Sequence, residues 1–146
     1  MRVVDTNVLL YAVNPRVPDH AVARAWLDDA LSGSATVGFA WVALLGFVRI
    51  STRAGIFDRP LTSEEAMLVV EQWLGSPAAQ IVQPTPRHST VLARLLREAG
   101  AAGNLTTDAH LAALAIEHRA TVASFDGDFD RLPGVRWERP TAPEAS

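Results

Sequence analysis

The stretch Thr107-Asp-Ala-His-Leu-Ala-Ala-Leu-Ala-Ile-Glu-His-Arg-Ala-Thr-Val-Ala-Ser-Phe-Asp126 decides the fold. Its first part predicts a helix over Asp108–His118, with Leu111, Ala112, Leu114 and Ala115 on the inner side and Thr107 placed to cap it. A short apolar strand, Thr121–Ser124, follows. One acid stands in the first turn of the helix (Asp108) and another just past the strand (Asp126). A helix feeding a short buried strand is the repeating unit of a parallel sheet covered on both faces.

The same alternation continues in both directions. Upstream lie a strand at Arg2–Val4, a helical turn at Thr6–Tyr11 and a helix over Asp19–Leu31. In that helix Val22, Trp26 and Ala30 recur at helical spacing, as do Ala23, Leu27 and Leu31, and Gly33 ends it. A strand at Ala35–Phe39 precedes Trp41–Ser51, which reads as a buried helix with Arg49 as its polar exception. Thr62-Ser-Glu-Glu65 has the form of a capping box and opens a helix that runs to Leu74 and stops at Gly75. A strand at Gln80–Val82, a helix over Arg87–Ala99 closed by Gly100, and a last strand at Val135–Trp137 complete the pattern. The expected fold is α/β: three layers, with a central, mainly parallel sheet between helices. Residues 1–140 form one domain, and 141–146 form a flexible polar tail.

Composition permits this. The chain has 146 residues, 49% hydrophobic and 20% charged, enough for a packed core without a staple. With no cysteine, disulfides, thiolate zinc sites and cysteine nucleophiles are excluded. Asp5 interrupts the first apolar run too early for a signal peptide, and no stretch approaches the roughly 20 apolar residues that cross a bilayer. The expectation is a cytoplasmic protein. All 13 basic residues are Arg, which removes every mechanism requiring an ammonium group, and the net charge of −3 neither favours nor opposes a nucleic-acid substrate.

Three acids carry the chemistry. Asp5, in Val3-Val-Asp-Thr-Asn7, stands where a strand gives way to a turn, and Asp108 and Asp126 stand at the positions above. Each has a structural alternative: a helix cap for Asp5, a favourable first-turn acid for Asp108, and a hairpin turn at Asp126-Gly127. Taken together, the three fall at one sheet edge, where ligands of open parallel sheets collect. Close carboxylates repel unless protons or a cation relieve them, and hard divalent cations prefer oxygen ligands. The inference is a Mg²⁺ or Mn²⁺ site with a phosphate-bearing substrate. His20, His88, His110 and His118 lie on separate segments without metal-ligand spacing and read as structural or surface residues. Trp26, Trp41 and Trp73 read as core or dimer-interface residues.

The order Asp5-Thr-Asn7, then Thr-Asp-Ala-x-Leu-Ala-Ala-Leu-Ala around Asp108, then Ser-x-Asp-x-Asp-Phe at Asp126 resembles PIN-domain ribonucleases, and within them the VapC toxins of VapBC toxin–antitoxin pairs. The resemblance spans roughly the first 140 residues. It implies a five-stranded parallel sheet, a homodimer, a VapB antitoxin as inhibitor, and Mg²⁺- or Mn²⁺-dependent cleavage of RNA, with transfer and ribosomal RNA both open. By the same resemblance, Asp5, Asp108 and Asp126 match the metal-site acids, with Asp128 as an additional outer-shell acid. Thr6, Asn7 and Ser124 match supporting polar positions, and Arg49 is a candidate phosphate contact. One departure stands out: Gly46 occupies the position where the family places a Glu, and Ala35–Phe57 contains no acid. The expectation is one metal rather than two. The rival reading is a non-catalytic RNA- or protein-binding module of the same fold.

Overall fold

The computed structural model describes residues 1–55, 57–100 and 105–144. Among these the chain runs β1 (Arg2–Val4), α1 (Thr6–Val13), α2 (His20–Ser32), β2 (Val37–Phe39), α3 (Trp41–Ser51), α4 (Ser63–Leu74), β3 (Ala79–Ile81), α5 (His88–Ala99), α6 (Thr106–Glu117), β4 (Thr121–Ala123), a 3-10 turn (Gly127–Arg131) and β5 (Arg136–Glu138). The strands form one sheet in the order β3-β2-β1-β4-β5, and every pairing is parallel. The chain leaves β1 toward one edge of the sheet and returns to β4 on the other side of it. The switch point between β1 and β4 opens the crevice in which sheets of this kind bind ligands.

Side chains alternate across the sheet and found two cores. Val4, Phe39 and Ala123 face the layer of α1–α4, where they meet Leu9, Leu44 and Phe47. Val3 and Val122 face α5 and α6, with Leu95, Leu111 and Phe129. Phe47 meets Trp73 edge-on at 4.8 Å, a geometry that adds to the apolar area both rings bury. In α6, Ala109, Ala112, Ala113 and Ala115 are fully enclosed. Their small side chains let this helix lie close to the sheet, which brings its N-terminus to the sheet edge. Gly38 in β2 is a second point of close packing, since a Cβ there would come within 2.6 Å of Val82 Cγ2.

Several expectations change in detail. The predicted turn at Thr6–Tyr11 is the eight-residue helix α1, because Asp5 Oδ1 accepts the Thr6 N–H at 2.7 Å and caps it. Thr107 is not a cap: α6 starts at Thr106, with Leu105 in the cap position and no side-chain cap bond. The helix over Trp41–Ser51 is not buried all round. It encloses Ala43, Leu44 and Phe47 but leaves Trp41 43% and Leu45 61% exposed, because among the described residues no further layer covers its outer stripe. The capping box at Thr62 and Glu65 is present in both directions. Asp126-Gly127 does not turn a hairpin, since β4 and β5 are parallel. Beyond β5, Thr141–Glu144 have no regular structure and are exposed, while Ala145 and Ser146 of the predicted tail lie outside the described residues.

Candidate metal centre

The β1–β4 ladder extends one step past the strands, where Asp5 N–H donates to Ala123 O at 2.9 Å. That bond sets Asp5 beside Ser124, whose side chain is fully enclosed. Ser124 Oγ donates to Asp5 Oδ2 at 2.7 Å and accepts from Asn7 Nδ2 at 3.1 Å and from Asp126 N–H at 2.9 Å. Asn7 Oδ1 in turn accepts the Phe125 N–H at 3.1 Å. One buried hydroxyl thus joins the two strand ends and aims both of their acids. Such buried polar groups hold their geometry because each lost bond leaves a desolvated partner.

Asp126 Oδ1 accepts the Asp128 N–H at 2.9 Å, which starts the 3-10 turn and folds Asp128 back toward the edge. Asp108 arrives from the first turn of α6. The result is a tight group: Asp108, Asp126 and Asp128 each offer a carboxylate oxygen, and these oxygens lie within 4.8 Å of one another. Asp5 stands close enough to be felt electrostatically by Asp108 and to feel Asp126. The structure therefore gathers all the acids singled out in the sequence. It differs in emphasis, because Asp128 shares the closest trio with Asp108 and Asp126, while Asp5 is tied back by Ser124 and Thr6.

The electrostatics follow from this crowding. Burial, then repulsion from Asp5, Asp126 and Asp128, pushes the Asp108 carboxyl up to about 7. Burial also raises Asp5, with Asp126 adding to it, although hydrogen bonds from Ser124 and Thr6 pull the other way. A site of this kind is short of positive charge, which a hard cation on these carboxylate oxygens would supply. Among the described residues the donor set is all oxygen, with no sulfur and no imidazole, and so fits a hard cation.

A cleft of about 680 Å³ adjoins the acids, lined by Asp5, Thr6, Val42, Leu45, Gly46 and Arg49 among others. Gly46 is a point of close approach. A Cβ there would sit 2.8 Å from Thr6 Oγ1, and Thr6 Oγ1 donates to Ala43 O at 3.0 Å, locking α1 to α3. Gly46 brings no carboxylate to the cleft, and its lack of a side chain permits this contact.

Two features escaped sequence reasoning. His88 and His110, read as lying on separate segments, meet between α5 and α6: His88 Nε2 lies 2.8 Å from His110 Nδ1, and His88 Nδ1 lies 2.5 Å from Glu117 Oε2. Thr85 completes the group by donating its hydroxyl and its N–H to Glu117 Oε1, at 2.6 and 2.9 Å. These histidines pair helices rather than bind a shared ion, since each ring nitrogen of His88 faces a different partner. His88 and His110 stand 22 residues apart on different helices, so no local spacing announces them. Arg139 is the second feature: its Nη1 donates to the Phe125 carbonyl at 2.9 Å.

A parallel sheet with a carboxylate cluster at its switch point defines the class: an α/β protein with a cluster of acids beside an open cleft. The family model described as PIN domain matches residues 2–135, and the chain belongs to that family. Over 142 residues it is 55% identical to Ribonuclease VapC37 of Mycobacterium tuberculosis, covering 97% of this chain and 99% of that one. It is 39% identical over 140 residues to Ribonuclease VapC33 of the same species, covering 96% and 98%. Among solved structures, the chain resembles one in VapBC2 of Rickettsia felis bound to a promoter DNA fragment, with a TM-score of 0.69, 19% identity and coverage of 95% and 98%. It also resembles Mycobacterium tuberculosis VapC20, described as a Sarcin-Ricin loop cleaving toxin, with a TM-score of 0.65, 18% identity and coverage of 93% and 99%. No helix among the described residues is long and apolar enough to cross a membrane.

Proposed function

We propose that this protein is a VapC-type toxin: a Mg²⁺- or Mn²⁺-dependent endoribonuclease that hydrolyses RNA phosphodiester bonds and is restrained by a VapB-type antitoxin. The observation that carries the reading is the convergence of Asp5, Asp108, Asp126 and Asp128 on one sheet edge, with Asp108 raised to about 7. Family membership and the ribonuclease names of the relatives support it.

Asp108, Asp126 and Asp128 hold the cation, with Asp5 as the fourth carboxylate. The bound cation supplies a lowered pKa for water and charge neutralisation at the phosphodiester. Ser124 and Asn7 fix the acids, so the site needs little rearrangement when RNA arrives. Arg49, in the wall of the cleft that also holds Asp5 and Thr6, engages the phosphate flanking the scissile bond. The domain reading is 1–140, with the tail beyond it outside the catalytic unit. The protein acts in the cytoplasm as a homodimer, on transfer or ribosomal RNA.

The test is cleavage of labelled RNA by purified protein with Mn²⁺, by the same sample with excess chelator, and by Asp108→Asn. The reading requires cutting that is lost in the last two. Cutting that survives both would refute it. The rival, a module without activity, is favoured only by Gly46. It predicts no cutting by the wild type at any metal concentration.

A further inference from the structure

We infer that Arg139 is a positioning residue for the metal-binding acids: it locks the peptide that leads into Asp126. This rests on the reading that the acid cluster holds a divalent cation.

Arg139 lies just beyond β5, past the stretch matched by the family model, and none of the acid motifs includes it. Its Nη1 donates to the Phe125 carbonyl at 2.9 Å. Its guanidinium carbon lies 5.1 Å from the centre of the Phe125 ring, and Nη2 reaches Asp19 Oδ2 at 3.6 Å. Tyr11 also packs on the Phe125 ring, with ring centroids 5.2 Å apart. Phe125 is thereby held at its N–H by Asn7, at its ring by Tyr11 and Arg139, and at its carbonyl by Arg139.

The consequence concerns Asp126. The Phe125 carbonyl and the Asp126 N–H belong to one planar peptide unit. Arg139 holds the oxygen of that plane, and Ser124 Oγ holds its N–H at 2.9 Å. With both ends pinned, the direction in which Asp126 leaves the backbone is fixed, and with it the carboxylate that caps Asp128. Pinned at one end only, the plane can rock, and the trio of oxygens loses its spacing. The Asp19 ion pair contributes little, because the Arg139 and Asp19 side chains are 55% and 40% exposed. The planar fork does what a lysine does only in part: it bonds the carbonyl while stacking on the ring.

The experiment is calorimetric titration of Mn²⁺ into the wild type, Arg139→Ala, Arg139→Lys and Arg2→Ala, with melting temperatures recorded for each. Arg2 is the structural control, since it pairs with Glu138 and lies 5.8 Å over Trp26 on the same side of the sheet without touching Phe125. Arg139→Ala is expected to lose about 10-fold in Mn²⁺ affinity, the usual cost of removing a group that orients a ligand. Arg139→Lys should recover part of that loss, and Arg2→Ala should bind as the wild type does, whatever its melting temperature. Should Arg139→Ala fail to fold, Arg139→Gln takes its place with the same expected loss.

Wild-type affinity in Arg139→Ala or its substitute, or an equal loss in Arg2→Ala, overturns the inference. A wild type that binds Mn²⁺ without cutting RNA defeats the proposed function and leaves this titration decisive for Arg139. A wild type that binds no Mn²⁺ overturns the metal reading and this inference with it.

Discussion

Asp108→Asn should stabilise the metal-free protein while abolishing its metal response, and the size of the effect follows from the crowding of the acids. The Asp108 carboxyl is raised from 3.8 to about 7, first by burial and then by Asp5, Asp126 and Asp128. For a fully enclosed group that shift corresponds to about 4 kcal/mol. Asp108 is only half-buried, so solvent screening cuts this to about 1–2 kcal/mol. The sign is set by linkage. A raised carboxyl binds its proton more tightly in the folded state than in the unfolded one, so stability falls as pH climbs from 3.8 toward about 7. Asparagine keeps the shape without the charge and escapes that loss. Thermal melts in chelator should show the two proteins equal near about pH 4, and the variant ahead by about 3–6 °C near about pH 8. Saturating Mn²⁺ should reverse the order at pH 8, because a ligand at about 100 times its Kd adds about 2.7 kcal/mol to the wild type alone. A melting-temperature difference that does not change with pH, or a variant less stable than the wild type at pH 8 in chelator, would refute the reasoning.

Other outcomes follow from single contacts. Ser124→Ala removes the hydroxyl shared by Asp5, Asn7 and Asp126 and should cost about 1–3 kcal/mol in chemical denaturation, with weaker Mn²⁺ binding by calorimetry. Gly46→Glu should not add a further metal ligand. Its Cβ meets Thr6 Oγ1 at 2.8 Å, so urea melts should show about 1–3 kcal/mol of destabilisation and cleavage assays no gain in rate. Arg49→Ala should leave Mn²⁺ affinity intact, raise KM for RNA and flatten its salt dependence, as loss of one phosphate contact does. Protonation of Glu117, whose carboxyl is held low by hydrogen bonds from Thr85 and His88 despite its burial, should loosen the α5–α6 pair in acid. A lowered carboxyl gives stability that is present above its unfolded value of 4.5 and lost as pH falls through the folded one. Glu117→Gln should therefore show a smaller acid loss below about pH 4.5 in circular dichroism.

The alternation of strands and helices was legible because each element carries its own period, and Val3, Val4, Val122 and Ala123 announce a sheet buried on both faces. The acids were legible because Asp5 and Asp126 follow strands directly and Asp108 sits in a first turn, positions that parallel topology brings together. The share of Asp128 was harder to see. Its place depends on a 3-10 turn that begins only because Asp126 caps it, and an Asp-Gly pair is equally a hairpin signal. The exposed stripe of α3 was misread because a run such as Trp41-Val-Ala-Leu-Leu-Gly-Phe is apolar on every side, and composition does not say which side a layer covers. Arg139 and the His88–His110 pair were invisible for a common reason: their partners lie far along the chain, and the contacts exist only once the layers are packed.

The most direct test of the central claim is to map RNA 5′ ends in cells after brief induction of the wild type and of Asp5→Asn. The account predicts a small set of new ends in transfer or ribosomal RNA that are present with the wild type and absent with the variant. The same ends appearing with Asp5→Asn, or no new ends with the wild type, would contradict it.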